Sequence, residues 1–475
     1  MQTRTPRKIV GLALLLLPLA SCSLAPQYDR PEAPVPAALT ETELQAPAGE
    51  AFDAQGLGWR EFFKDEQLKE LIALSLENNR DVKLAALSVA EAQARYGVQS
   101  AERLPQLTAE GGADMSGGFR RSTEKSYDFA VAMPAFELDF FGRLKNMSES
   151  ALEQYLASRE AEKTVRLTLV SQVAQGWLEE RLAREQLQLA RQSLESWQTS
   201  YAFIEGRASS GQSSPLDLEQ ARGMVEFASA AVAQRQREVT RAANALYLLL
   251  GSFEKRELPT AASLAEQNFA ELPDNLSSTV LLSRPDVMEA EHMLLAANAD
   301  IGAARAAFFP SISLTGNLGY MSDDVTTLFS GTTSVWSFLP SLSLPIFAAG
   351  RNKANLELAE IRKESSVLQY EKTIQTAFRE VADALMTRAS FNDQLAAQKK
   401  YLAAQRLVLA LATQRYVNGV TSYLDVLDAQ RNVFQAEQDL LDIRREQLVN
   451  EINLYSALGG GLAETSASLP GGLSE

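Results

Sequence analysis

Two hydrophobic periods alternate along this chain, and the alternation occurs twice. Leu218, Val225, Val232, Val239 and Leu246 recur every seven residues, and 208 positions on stand Val426, Val433, Leu440, Gln447 and Leu454. Upstream, Leu187, Leu194 and Tyr201 match Leu395, Leu402 and Leu409, with Tyr416 next in line. A sustained period of 3.5 keeps one stripe facing a neighbouring helix and predicts left-handed coiled-coil seams. Residues 144–208 and 352–418 contain no Pro. As helices rising ~1.5 Å per residue, each would run about 100 Å, which suits a helical tube and no compact core.

Between these stretches the period drops to two. Leu107, Ala109, Gly111, Ala113 and Met115 alternate with Thr108, Glu110, Gly112 and Asp114; Tyr127, Phe129, Val131, Met133 and Ala135 alternate with Asp128, Ala130, Ala132 and Pro134. Ile312, Leu314, Gly316, Leu318 and Tyr320 form a third such run, and Trp336, Phe338, Pro340, Leu342 and Leu344 a fourth. Runs of about 9–11 residues fit transmembrane β-strands. Tyr127, Tyr320 and Trp336 fall at the loop ends of the predicted strands, where an interfacial aromatic girdle would sit. Four strands cannot close a barrel within one chain, because small barrels begin at about eight. The pattern therefore demands at least two copies.

The chain is a tandem duplication. Asp81-Val82 recurs as Asp286-Val287 at a shift of 205, whereas Gly142 and Gly350, Gly211 and Gly419, and Gly251 and Gly459 lie 208 apart. The length change lies between Pro105 and Gly142, the stretch that carries the strands. The expected organisation is a signal peptide over 1–21, a lipidated extended lead over 22–60 and a first repeat over 61–251. In that repeat the hairpin spans about 107–136 and the long helices 144–250. An equatorial inter-repeat segment covers 252–283. The second repeat, 284–459, has its hairpin at about 312–344 and long helices over 352–458, and 460–475 is a tail.

Composition narrows the function. The 475 residues include one Cys and one His, and 60 acidic against 45 basic side chains give a net charge of −15. That balance opposes nucleic acid and anionic headgroups as main partners. A lone His, His292, and a lone Cys leave no thiolate or imidazole metal cluster to build, so neither metal nor cofactor is expected. Arg4, Arg7 and Lys8 precede an apolar run from Ile9 to Ala20 that is too short to span a bilayer, as in a secretory signal. Leu19-Ala20-Ser21-Cys22 then has the form of a bacterial lipobox, which would leave Cys22 lipidated as the first mature residue. The expected location is the Gram-negative outer membrane, lipid-anchored at Cys22, with the chain extending into the periplasm. The tips farthest from the strands, Arg207 to Asp217 and Arg415 to Asp428, each carry a capping-box signature, Ser214-Pro215-Leu216-Asp217 and Ser422-Tyr423-Leu424-Asp425. Asp428 lies beyond the box and on the same helical face as Asp425. Rings of such carboxylates around a pore axis would bind and select cations.

The Phe136-Glu137-Leu138-Asp139-Phe140-Phe141-Gly142-Arg143 run, the Leu342-Ser343-Leu344-Pro345-Ile346-Phe347-Ala348-Ala349-Gly350-Arg351 run and the Arg415-Tyr416-Val417-Asn418-Gly419 tip resemble outer membrane factors. These are the TolC-like channels, and the resemblance is to the lipidated branch serving resistance-nodulation-division (RND) pumps. It implies a membrane α+β fold: a homotrimer whose twelve-stranded outer-membrane β-barrel, four strands per chain, continues into a coiled-coil α-helical periplasmic barrel. It also implies an inner-membrane RND-type pump and a periplasmic adaptor, or membrane fusion, protein as partners, alongside outer-membrane lipid. By resemblance, Asp425 and Asp428 line the constricted entrance, and Asp217 and Tyr416 help latch the tips. Thr421 stands where some relatives carry an Arg reaching the Asp217 position, so Arg415 or Arg207 would have to take over that role. The implied function is passive export of small molecules, not catalysis. A type I protein-secretion outlet is the alternative within the same class, and a coiled-coil lipoprotein tether is the alternative outside it. A hydrolase built on His292 lacks a second candidate base.

Overall fold

A computed structural model describes residues 23–36, 56–119, 121–252, 263–273 and 278–465. The expected signal peptide and Cys22 lie outside the described residues, as do parts of the lead, of the inter-repeat segment and of the tail. The elements in order are α1 (Trp59–Phe62), α2 (Glu66–Asn78), α3 (Arg80–Ala101), β1 (Thr108–Gly118), β2 (Arg121–Leu138), α4 (Arg143–Ser209) and α5 (Pro215–Leu250). After a 3-10 turn at Ser278–Ser283 come α6 (Pro285–Ala306), β3 (Ser311–Ser322), β4 (Ser334–Ser343), α7 (Arg351–Val417) and α8 (Tyr423–Ala457), repeating the order helix, two strands, two long helices. The chain folds as two units. The first draws its described residues from Met1–Ala33, Leu87–Glu160 and Met288–Thr373, the second from Pro34–Ala86, Ala161–Val287 and Ile374–Glu475.

The first unit contains one antiparallel sheet in the order β1-β2-β3-β4. Its two hairpins join through β2 and β3, with Val131 opposite Leu318 and Phe129 opposite Tyr320. β2 begins at Arg121 and pairs Ser116 with Glu124, so Tyr127 lies inside this strand and not at its loop end. Backbone pairing continues through polar residues once the apolar band ends, because the ladder depends on amides and not on side-chain hydrophobicity. The junction after β2 explains the Phe-Glu-Leu-Asp run. Arg143 clasps Glu137 with two bonds of 2.9 and 2.6 Å, Asp139 accepts from the Lys145 amide at 2.7 Å, and Phe141 stacks on Phe309 at 4.7 Å. His292 pairs its Nδ1 with Glu153 at 2.7 Å, a helix-to-helix tie and not a catalytic arrangement.

The second unit realises the predicted seams. Ala190, Trp197, Ala228 and Phe434 form a buried cluster with Leu194, Val225 and Val232 packed on it, and Leu246 and Leu454 are fully buried. Where the period puts Gln447 in place of an apolar residue, its amide bonds to Asn392 at 2.6 Å. The inter-repeat residues 263–273 are tied down and not a passive linker. Arg444 donates to the carbonyls of Leu264 and Gln267, Arg388 to that of Leu272, and the Ala270 amide to Phe62. The aromatic core beneath them stacks Phe62 on Tyr455 at 3.9 Å and on Phe269 at 5.2 Å. Sequence patterning does not reveal this core, because Phe62 and Phe269 lie in short segments without periodicity and Tyr455 lies off the heptad stripe of α8.

α5 ends on Gly251 at φ 66, a left-handed cap that suits glycine. Its penultimate carbonyl, Leu249 O, accepts from Ser75 and Asn79 of α2 and its capping residue, and a Cβ on Gly251 would lie 2.6 Å from Asn78 O. Gly251→Ala should therefore lower stability by about 1–3 kcal/mol, through αL strain and the clash with Asn78. Gly97→Ala, in the open helical surface of α3, should leave it unchanged or raise it by about 0.5–1 kcal/mol. The thermal midpoint of the helical circular-dichroism signal measures both.

Candidate functional site

The sheet sorts its side chains by chemistry. Direct partners across an antiparallel pair share a face, and alternate residues along a strand do too. The register therefore puts Tyr127, Phe129, Val131 and Met133 of β2 on one face with Leu318 and Tyr320 of β3 and Trp336 and Phe338 of β4. Several of these side chains are largely exposed in the single chain: Trp336 is 77% exposed, Leu318 67% and Phe338 56%. The opposite face carries Glu110, Asp114, Asp128, Asn317 and Ser337, with Ser337 donating to Asn317 at 2.7 Å and Ser313 bonded to Ser341 at 2.7 Å. All three predicted girdle aromatics stand on the apolar face: Tyr127 opposite Ser322, Tyr320 opposite Ser334 and Trp336 opposite Leu318.

One feature of this face differs from the simple alternation. Between Met133–Gly316 and Phe136–Leu314 the register shifts, and Ala135 takes a positive φ of 30. This bulge absorbs one residue of β2. It turns Phe136 and Leu138, not Ala135, onto the apolar face and sends Glu137 to the polar one. Pro134, which cannot donate to a ladder, sits in the bulge, where a central strand tolerates it. No helix among the described residues is long and apolar enough to cross a membrane.

The helix–turn–helix tips lie in the second unit. Tyr416, at the end of α7, is buried at 8% exposure in a cluster with Ile204, Ala221, Tyr423, Val426 and Leu427. Its hydroxyl bonds to Ser213 at 3.2 Å, and Ser213 donates to Asp217 Oδ2 at 3.1 Å. Asp217 also accepts from the Ser214 amide while Ser214 Oγ accepts from the Asp217 amide, completing the predicted capping box. Asp217 and Tyr416 are thus joined through Ser213, a residue the sequence reading did not single out. The Arg207 guanidinium lies 5.5 Å from the Tyr416 ring centre and 5.8 Å from that of Phe203, within cation–π range. Tyr423 stacks obliquely on Tyr416 at 5.2 Å, and burial, with Tyr416 and Asp217 beside it, pushes its hydroxyl up to about 12. It stays neutral in this packing.

The second tip departs from the expected capping box: Ser422 is the N-cap of α8 but makes no side-chain cap bond. Tyr423, at the position matching Pro215, turns inward to the aromatic cluster, and Asp425 is left exposed with its carboxylate outside a cap. Asp428, one turn on, is also exposed, with Arg431 4.0 Å away. No group of three or more His, Cys, Asp or Glu among the described residues is placed to hold a metal ion.

Comparison with known proteins places this geometry. The sequence model for "Outer membrane efflux protein" matches residues 71–252 and 276–460. The chain is 50% identical over 462 residues to the cation efflux system protein CusC of Escherichia coli strain K12, covering 96% of this chain and all of the relative. It is 42% identical to the probable efflux pump outer membrane protein TtgC of Pseudomonas putida, with 96% of each chain covered. Among solved structures, CusC superposes with a TM-score of 0.85 at 48% identity, covering 93% of this chain and 100% of that one. The MtrE outer membrane channel of Neisseria gonorrhoeae, in its open state, superposes with a TM-score of 0.86 at 35% identity, covering 94% of this chain and 100% of that one. The chain belongs to the outer membrane efflux protein family, and it is a channel component, not an enzyme.

Proposed function

We propose that three copies of the chain close one twelve-stranded barrel in the outer membrane and form the exit duct of a tripartite pump. A periplasmic adaptor and an inner-membrane RND-type transporter would complete the assembly. The observation that carries this reading is a four-stranded sheet with one predominantly apolar face, one predominantly polar face and two open edges. In hydrocarbon each unpaired edge amide or carbonyl costs several kcal/mol, so the edges of β1 and β4 must meet other copies. Eight strands would fill their own interior, whereas twelve leave a lumen for cargo. The polar face with Glu110, Asp114 and Asp128 then lines that lumen. Tyr127, Tyr320 and Trp336 would form the girdle at the membrane interface. Cys22 would carry acyl chains as a second membrane attachment. The repeats 61–251 and 284–459 would act as quasi-equivalent staves.

The tips would form the periplasmic gate. Asp425 and Asp428, exposed one turn apart and free of a cap, would give six carboxylates in two stacked rings across three chains. Tyr416, Ser213 and Asp217 would hold the two tips of each chain together, with Arg207 stacked on Tyr416 in place of an ionic latch. An acidic entrance suits cationic cargo, which agrees with the name of the relative CusC, a cation efflux system protein, and with the net charge of −15.

Purified protein in planar bilayers tests the gate. Asp425→Ala combined with Asp428→Ala should raise single-channel conductance and weaken block by a trivalent cation about ten-fold, equivalent to ~1.4 kcal/mol of binding. Unchanged conductance and block would remove these residues from the entrance. Tyr416→Phe, which deletes one hydrogen bond worth about 1 kcal/mol, should leave the channel mostly closed. Tyr416→Ala, which also empties the aromatic cluster at about 3–5 kcal/mol, should raise the open fraction. Equal conductance traces for the two variants would contradict the latch.

A further inference from the structure

Within the first unit, residues 23–30 run against its helices as a strap, although nothing in their sequence is periodic. Ser23 donates from Oγ to Asn146 Oδ1 at 2.6 Å and receives the Ala25 amide at 3.2 Å. Arg305 donates to the Leu24 carbonyl at 3.3 Å and Asn298 to the Pro26 carbonyl at 2.9 Å. Tyr28 donates to Glu291 at 3.1 Å; Arg30 pairs with Glu291 and donates from Nε to Tyr370 Oη at 3.2 Å. The partners stand on α4 of the first repeat and on α6 and α7 of the second. Pro26 restricts the strap to an extended form before it docks, which lowers the entropy lost on docking.

The seat is shaped for backbone. Gly302 of α6 faces the strap, and a Cβ there would lie 2.7 Å from the Ala25 nitrogen and nearer still to the Asn146 amide. Asn146 is completely buried, and its Nδ2 has no partner among the described residues. A buried amide donor left over at this place is costly, at about 1–3 kcal/mol, unless something accepts from it. The residue that precedes Ser23 in the sequence is Cys22. Asn146 itself is in the first turn of α4, which begins five residues after the last residue of β2.

We propose that Asn146, Asn298 and Gly302 form a receptor for the acylated amino terminus of the same chain. Asn146 Oδ1 accepts from Ser23, and its Nδ2 donates to a carbonyl of the acylated Cys22. The seat sets the anchor residue at the junction of sheet and helices, and the strap behind it sews the first repeat to the second. Ser23 is thus a docking residue next to the anchor. This inference rests on the reading of Cys22 as lipidated, and the two fail separately in the following test.

The full-length protein is produced in cells fed an alkyne fatty acid, extracted in detergent, and examined for label and for hydrogen exchange of the 23–36 segment. The expected result is a labelled chain whose strap amides exchange at least about ten-fold more slowly than a free peptide of the same sequence. Gly302→Val should keep the label and bring the strap close to free-peptide rates. Should that variant misfold, Ser23→Ala combined with Asn298→Ala, which removes two of the strap's bonds at about five-fold each, carries the same test. A labelled wild-type strap that exchanges at free-peptide rates overturns the seat and leaves the lipidation reading intact. So does protection that both variants leave unchanged. An unlabelled protein overturns the lipidation of Cys22, and with it the acyl-terminus receptor.

Discussion

The demand that no backbone amide remain unpaired in hydrocarbon governs this molecule. Its sheet has one apolar face that matches lipid and a polar face that matches water, but also two edges that match neither. A chain built this way cannot be a finished membrane protein alone. Oligomerisation is the step that completes the ladder, and the duplication doubles each chain's contribution of strands. The bulge at Ala135 belongs to the same constraint. It keeps Phe136 and Leu138 on the lipid-facing side where the strand leads into Gly142 and Arg143, and Glu137 stays on the other side to clasp Arg143.

The helical parts obey a softer rule. In water their seams need only bury a stripe, and polar residues enter wherever a partner is available. Gln447 reaches Asn392, and Arg235 threads between Gln186, Glu238 and Gln438 with bonds of 2.6–2.7 Å. A tube wall of this kind tolerates small rotations of one helix pair against another better than a dry core does. In the proposed gate the tips exploit that tolerance. Their hold comes from one buried tyrosine, a serine bridge and a stacked arginine, each worth little compared with the packing of a domain core.

Much of this was legible in the sequence, where a regular period reports a regular surface. The alternating runs located all four strands, and the heptads located the seams. The 208-residue echo paired the two tips. What escaped lacked a period. The aromatic core of Phe62, Phe269 and Tyr455 is assembled from three distant segments. The strap from Ser23 to Arg30 reads as a proline-rich lead until its hydrogen bonds to three helices are visible. The second capping box looked as sound as the first. It differs because Tyr423, where the first tip has Pro215, is drawn into the aromatic cluster, and Ser422 makes no side-chain bond to the helix end. Local motifs state what a segment can do, and tertiary packing decides whether it does so.

The central claim is that the β1 and β4 edges of different copies pair to close the barrel. Single cysteines placed along β1 and along β4, combined pairwise in one chain and oxidised in intact outer membranes, test this most directly. The account predicts that a matched pair yields a covalent ladder ending at three chains, and that shifting one cysteine by a residue, to the opposite face, abolishes it. Membranes containing the folded protein but no crosslink beyond a single chain, at any register, would contradict it.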